Sequence, residues 1–210
     1  MKFIPSTYID TSTHGTIDEN VVEWISVEYI DVFDKQLQHQ GVASRRDIHE
    51  QGLWHQTFHC WFTTMLNDEV YVLFQKRSPG KEDYPGLLDI SAAGHLEAGE
   101  SPKDGVREIE EELGLKLAFN ELTSIGVLHV EAPLAGGRLD REHCHVYVKQ
   151  LNPVERDNIR FDAEEVEGVE WISLQQCVDL FIDGNATSGR FVPHPHEYYE
   201  KVVEALVRLS

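Results

Sequence analysis

Residues 94–115 hold the densest chemistry of the chain, with Gly94, Glu100, Arg107, Glu108, Glu110, Glu111 and Glu112 in one short stretch. The stretch reads as a loop entering a helix. Ser101 suits the N-cap, Pro102 the first helical position, and Asp104 completes a capping-box pattern. Gly114 supplies the C-terminal stop. At about 100° per residue, Val106, Ile109 and Leu113 form an apolar stripe. Glu108, Glu111 and Glu112 share another face. That acidic face crowds the helix C-terminus, where the backbone dipole favours cations. Each like-charge pair costs roughly a few tenths of a kcal/mol. A bare Glu-rich helix reads as a solvated surface, but the glycine loop, the cap and the exit glycine argue for a site. The partner that would relieve the repulsion is a hard divalent cation, Mg²⁺ or Mn²⁺, held by carboxylates and by substrate phosphates.

The rest of the composition agrees with such a partner. The formal charge of −19 excludes a nucleic-acid polymer as ligand, because that binding rests on Lys and Arg. It equally repels a free diphosphate, so a phosphorylated substrate needs a cation to bridge it to the carboxylates. No run of eighteen apolar residues is present, and the N-terminus lacks a signal-like apolar region, so the expectation is a cytoplasmic protein with no membrane partner. Cys60, Cys144 and Cys177 lack paired spacing and read as free thiols.

These residues need a scaffold of strands. Residues 1–20 are polar and turn-rich, and read as an N-terminal arm of a kind that can serve a homodimer. Residues 21–210 read as one domain. Strands are expected over 21–33, 53–65, 70–75, 87–93, 122–130, 142–149 and 166–172, with the second and third forming a hairpin across Asn67 and Asp68. Residues 34–41 read as a polar turn, 42–50 as a short helical or irregular stretch, and Asn152-Pro153 as a break. Helices are expected from Ser173 to about Ile182 and from His196 to Leu209. Strands interleaved with few helices predict an α/β fold, a mixed sheet covered by helices on both faces as an α/β/α sandwich. Arg45 and Arg46 can approach phosphate or lie on the surface. Trp54 and Tyr84 can stack on a ligand, although core packing is the default for each. His143, His145, His194 and His196 read as strand or surface histidines.

Gly94, Glu100 and Arg107-Glu108-Ile109-x-Glu111-Glu112-x-Gly114-Leu115 resemble the Nudix box. Six residues separate Glu100 from Arg107 where the box usually has seven, so the helix starts late or bulges. The resemblance extends to Arg46-Asp47-Ile48-His49-x-x-Gly52-Leu53-Trp54-His55, to Pro85-Gly86-Leu87-Leu88-Asp89-Ile90-Ser91 and to Phe191-Val192-Pro193. These look like a branch close to isopentenyl-diphosphate isomerase.

The resemblance implies metal-dependent hydrolysis of a diphosphate linkage in a nucleoside diphosphate derivative or another small organic diphosphate. In that reading Glu108, Glu111 and Glu112 hold Mg²⁺ or Mn²⁺, and Glu111 shares ligation or takes the water proton. Glu142 is the alternative base, and Arg107 orients the glutamates. Gly94, His95 and Glu100 belong to the binding loop. By analogy with the isomerase, His55 and His95 are metal-binding histidines and Glu142 the second acid. Against isomerase chemistry, Ala93 stands where the isomerase carries a cysteine, and alanine transfers no proton. A diphosphate sensor without chemistry is the other alternative, and the intact glutamates argue against it.

Overall fold

A computed structural model describes residues 27–183 and 189–210. The arm expected over residues 1–20, and the first part of the strand expected over 21–33, lie outside the described residues. The strands are β1 Tyr29–Phe33, β2 His39–Ser44, β3 Trp54–Leu66, β4 Glu69–Arg77, β5 Leu88–Asp89, β6 Ala92–His95, β7 Thr123–Pro133, β8 Leu139–Gln150 and β9 Val166–Ser173. The helices are α1 Arg45–Gln51, α2 Arg107–Leu113, α3 Pro153–Asp157, α4 Leu174–Phe181 and α5 His196–Leu209.

All nine strands among the described residues join one mixed sheet organised on β3. One edge of β3 runs parallel to β8 from Trp54↔Arg141 to Thr63↔Gln150. The other edge is shared in sequence by β1, β6 and β4. The period-2 alternation of β3 then sorts the two faces. Phe58, Cys60 and Phe62 pack with Ile109 and Leu113 of α2, while Trp61 packs with α4 and α5 through Cys177, Phe181 and Tyr199. Helices therefore cover both faces, as the sequence predicts. No helix among the described residues is long and apolar enough to cross a membrane.

Four local expectations change. Residues 39–44, read as turn and irregular chain, form strand β2, paired to β1 from Tyr29↔Ser44 to Phe33↔His39. The strand expected over 87–93 is broken in two at Ile90 and Ser91. There the chain stops pairing with β4 and begins pairing with β3. The Ser91 hydroxyl bridges that switch, accepting from the Phe62 N–H at 2.9 Å and donating to the Leu73 carbonyl at 2.6 Å. Asn152-Pro153 does more than break β8. Asn152 caps α3 by accepting from Val154 N and Glu155 N, with proline at the permitted first position.

The acidic helix also begins late. A 3₁₀ turn over Asp104–Val106 precedes α2, which starts at Arg107 rather than at Pro102. Half of the expected capping box forms, with Asp104 Oδ2 accepting from Ser101 N at 2.9 Å and from Ser101 Oγ at 2.6 Å. Gly105 lets this turn lie on β3, since a Cβ there would sit 2.6 Å from Phe58 Cβ.

Candidate active site

A cleft of about 690 Å³ opens where β6, β5 and the end of β4 meet, and α2 borders it. Glu108 and Glu112, one helical turn apart, are buried against β6, whereas Glu111 lies at the exposed rim. The three expected metal carboxylates thus divide into a buried pair and a rim residue. Gly94 is required by the buried pair, because a Cβ there would lie 2.1–2.4 Å from the Glu108 carboxyl group. Gly94 is not at positive φ, so its use here is close approach rather than a strained turn. Glu112 accepts from the Ala93 N–H at 2.9 Å and from the Gln75 amide at 3.3 Å. Burial pushes Glu108 up to about 7 and Glu112 up to about 8, against an ordinary 4.5.

Arg107 ties the carboxylates together. It donates to both oxygens of Glu100 at 3.0 Å, to Glu108 at 2.6 Å, to Glu111 at 3.0 Å and to the His95 carbonyl at 3.0 Å. Every direction of its planar fork meets this framework. Glu100 also accepts from the Glu97 N–H at 2.8 Å, which holds the loop closed. Glu100 is absent from the cleft lining, so its contact with the site runs through Arg107.

The floor of the cleft comes from alternate residues of two parallel strands. Glu142 on β8 stands beside His55 on β3, and Cys144 stands beside Thr57. Asp140 and His59 extend the same two rows. His49 from α1 and His95 from β6 close over His55, with ring centroids 5.0–5.5 Å apart. One nitrogen from each of the three histidines lies within 4.8 Å of the others, and His55, Asp140 and Glu142 form a second such group.

The His55 tautomer follows from its neighbours. Its Nδ1–H donates to the Leu53 carbonyl at 3.1 Å, so Nε2 carries a lone pair. That nitrogen faces Asp140 Oδ1 at 3.6 Å, and both atoms are buried without a hydrogen-bond partner among the described residues. Two acceptors turned toward each other in a buried place fit a cation between or beside them. Burial lowers His55 to about 3 and His95 well below the imidazole norm, which keeps both rings neutral and able to ligate. Burial also pushes Asp140 up to about 6 and Glu142 well above the carboxylate range.

Cationic groups also line the cleft. Arg45, Arg77 and Lys81 face the cleft, each held by an acid: Glu28 at 3.1 Å, Asp89 at 2.7 Å, and Glu165. Arg46 turns to solvent and pairs with Glu50. Tyr84 lines the cleft and donates to the Pro133 carbonyl at 3.0 Å. Trp54 lies outside the cleft lining, stacked on His143 with centroids 4.7 Å apart. His194, expected in a surface loop, instead lines the cleft and binds Asp89 Oδ1 at 3.0 Å. His143 and His145 keep to the strand roles expected of them, bonded to the Asp34 carbonyl and to Gln56. His49, His59 and Asp140 were not singled out as site residues. The signal that finds the last two is the alternation His55-x-Thr57-x-His59 and Asp140-x-Glu142-x-Cys144, polar where strand cores are apolar.

Comparison with known proteins shows the family of the chain. A family model described as the NUDIX domain matches residues 53–194. An uncharacterized Nudix hydrolase of Clostridium acetobutylicum is 37% identical, over 86% of this chain and 97% of its own length. An isopentenyl-diphosphate Delta-isomerase of Cutibacterium acnes is 31% identical, over 73% of this chain and 77% of its own. Among solved structures, DR0079 of Deinococcus radiodurans superposes with a TM-score of 0.59 at 16% identity, covering 86% of this chain and 98% of that one. The MutT protein of Methanosarcina mazei does so with a TM-score of 0.53 at 16% identity, over 74% and 96%. The loop and helix that place Gly94, Arg107, Glu108 and Glu112 lie inside the matched segment, and the chain belongs to the NUDIX family as a Nudix-type hydrolase.

Proposed function

We propose that this hydrolase cleaves a diphosphate linkage in a nucleoside diphosphate derivative or another small organic diphosphate, with Mg²⁺ or Mn²⁺ as cofactor. The observation that carries the reading is the buried pair Glu108 and Glu112, kept apart from solvent, of which only Glu108 is bonded to the Arg107 guanidinium while Glu112 is met by neutral donors alone. Two carboxylates in this position are costly to ionise without a cation. Glu108 and Glu112 would hold the metal, with Glu111 either sharing in its ligation or taking the water proton. His49, His55, His95 and Asp140 are fitted to hold a second cation. The metal, when bound, lowers the pKa of a coordinated water and neutralises the diphosphate oxygens.

The chain supplies the remaining work. Arg107 fixes the glutamates and makes no substrate contact. Arg45, Arg77 and Lys81 steady the outer phosphate oxygens. Either Glu111 or Glu142 takes the proton of the attacking water, and Glu142 has the more sheltered position on the floor. The two are separated by comparing Glu111→Gln with Glu142→Gln at saturating metal. The base is the one whose loss lowers kcat with little change in metal affinity.

The deciding experiment measures phosphate and nucleotide release from a panel of diphosphates with Mg²⁺, with Mn²⁺ and with chelator, isopentenyl diphosphate included. Cleavage that vanishes with chelator is the expected result and names the substrate class. Double-bond migration in isopentenyl diphosphate without cleavage would favour the isomerase relatives instead. Retained metal binding with no reaction across the panel would leave a sensor.

A further inference from the structure

We infer that His59 is a fixed hydrogen-bond donor on the floor of the cleft, aimed beside the Glu142 carboxyl to hold an oxygen of the ligand or of the attacking water, and that it is not a metal ligand. The identity of that oxygen rests on the hydrolase reading, whereas the direction of the donor does not.

The direction follows from three buried side chains. The Trp61 indole N–H can only donate, and it donates to the Tyr198 hydroxyl oxygen at 3.1 Å. Tyr198 is 2% exposed. Among the described residues its hydroxyl has one other partner, His59 Nδ1 at 2.8 Å. A buried O–H needs an acceptor, and Trp61 cannot be one, so Tyr198 donates to His59 Nδ1. A neutral imidazole that accepts at Nδ1 carries its proton on Nε2. That nitrogen lies 3.9 Å from Glu142 Oε2, too far for a direct bond, so donor and carboxyl are free to share one oxygen in the cleft.

His59 Nε2, Glu142 and Cys144 also have the spacing of a metal set. A protonated nitrogen has no lone pair to give, so the relay excludes His59 from it. His55, on the same face of β3, has the opposite tautomer, with Nδ1–H on the Leu53 carbonyl and its Nε2 lone pair facing Asp140. The two histidines therefore divide the floor into a cation-binding end and an oxygen-binding end.

The test uses the full chain with ¹⁵N-labelled histidine, recording long-range proton–nitrogen spectra at one neutral pH, first with chelator and then with Zn²⁺ as a diamagnetic probe. His59 is assigned by the signals missing in His59→Gln, or by those altered in Tyr198→Phe should the first variant not fold. The expected result is His59 protonated at Nε2 in both states, while His55 Nε2 moves with Zn²⁺. In Tyr198→Phe the single tautomer is expected to give way to a mixture. A proton on Nδ1 of His59, or a Zn²⁺-induced shift of its Nε2, overturns the inference. In the diphosphate assay, His59→Ala is expected to lower kcat about tenfold to a hundredfold with a smaller change in KM, and His59→Gln, which keeps an N–H donor, to recover part of it. Equal losses in both variants overturn the donor role. If the wild-type protein cleaves no diphosphate, the hydrolase reading fails while the spectra still decide the tautomer.

Discussion

At the scale of single residues, the site depends on carboxyl groups whose charge is costly to bury without a partner. Gly94 is the clearest case. Alanine there would drive a methyl group into the Glu108 carboxyl, and that side chain would have to leave. Gly94→Ala is therefore expected to keep its circular dichroism spectrum and lose activity by about tenfold or more, the loss following metal affinity rather than substrate affinity. Unchanged metal binding by calorimetry would refute the role given to Glu108. Glu112 makes the complementary argument. Glu112→Gln keeps the shape and removes a charge that burial opposes. It is expected to leave the metal-free protein as stable or more stable, yet to reduce metal-dependent turnover by on the order of a hundredfold or more. A Glu112→Gln protein with full metal-dependent activity would remove Glu112 from the site.

The same pair gives stability a pH dependence. Glu108 and Glu112 have folded-state values raised from 4.5 to about 7 and about 8. Between those values and 4.5 the folded chain keeps protons that the unfolded chain has released. The slope of unfolding free energy with pH is then negative. Metal-free protein should lose melting temperature as pH rises from about 5 to 8, with both sites contributing. Saturating Mg²⁺ or Mn²⁺ replaces those protons and should flatten the profile, because it stabilises only the folded chain. Differential scanning fluorimetry with chelator and with metal, across that window, reads both slopes directly.

At the scale of elements, the acidic helix and its loop were legible because their signals are local. The exit glycine, the apolar stripe and the acid spacing all act within one or two turns. Gly114 does end the helix in a left-handed conformation, φ 66°, its N–H bonded to the Glu110 carbonyl. The start falls later than the local signals suggest, and a tertiary contact accompanies it: Gly105 lies against Phe58 in the 3₁₀ turn before α2, a neighbour no local pattern reveals. Gly105→Ala should accordingly cost about 1–3 kcal/mol, seen as a lower midpoint in urea with an unchanged slope. The histidines were harder to read for a related reason. His49, His59 and Asp140 belong to α1, β3 and β8, and only the parallel register of β3 with β8 and the closure of α1 bring them together. His194 reads as surface because His194-Pro-His196 looks like a loop, and the chain is irregular up to His196, where α5 begins. What the sequence does not show is that Asp89 waits 3.0 Å from its ring.

At the scale of the whole molecule, two fields of opposite sign meet at the cleft. The chain as a whole carries −19, while Arg45, Arg77 and Lys81 stand on the cleft wall. Each of these cations is matched by a carboxylate, Glu28, Asp89 or Glu165, so the wall offers directed donors without much net positive charge. At about 10 mM salt, where screening sets in only beyond about 30 Å, paired charges of this kind cancel at a distance and the net charge governs what an approaching anion feels. Capture of a diphosphate should therefore be opposed at long range and favoured at contact. Raising NaCl from about 10 to 150 mM at constant free Mg²⁺ is expected to increase kcat/KM, because screening weakens the long-range repulsion first. kcat should change little, since the metal and Arg107 contacts are buried or half-buried and poorly screened. Stopped-flow binding of inorganic pyrophosphate gives the same test without turnover, with salt raising the association rate. A rate that falls with salt would mean that the cationic wall reaches further than its paired acids allow, and that Arg45, Arg77 and Lys81 steer the ligand as well as hold it.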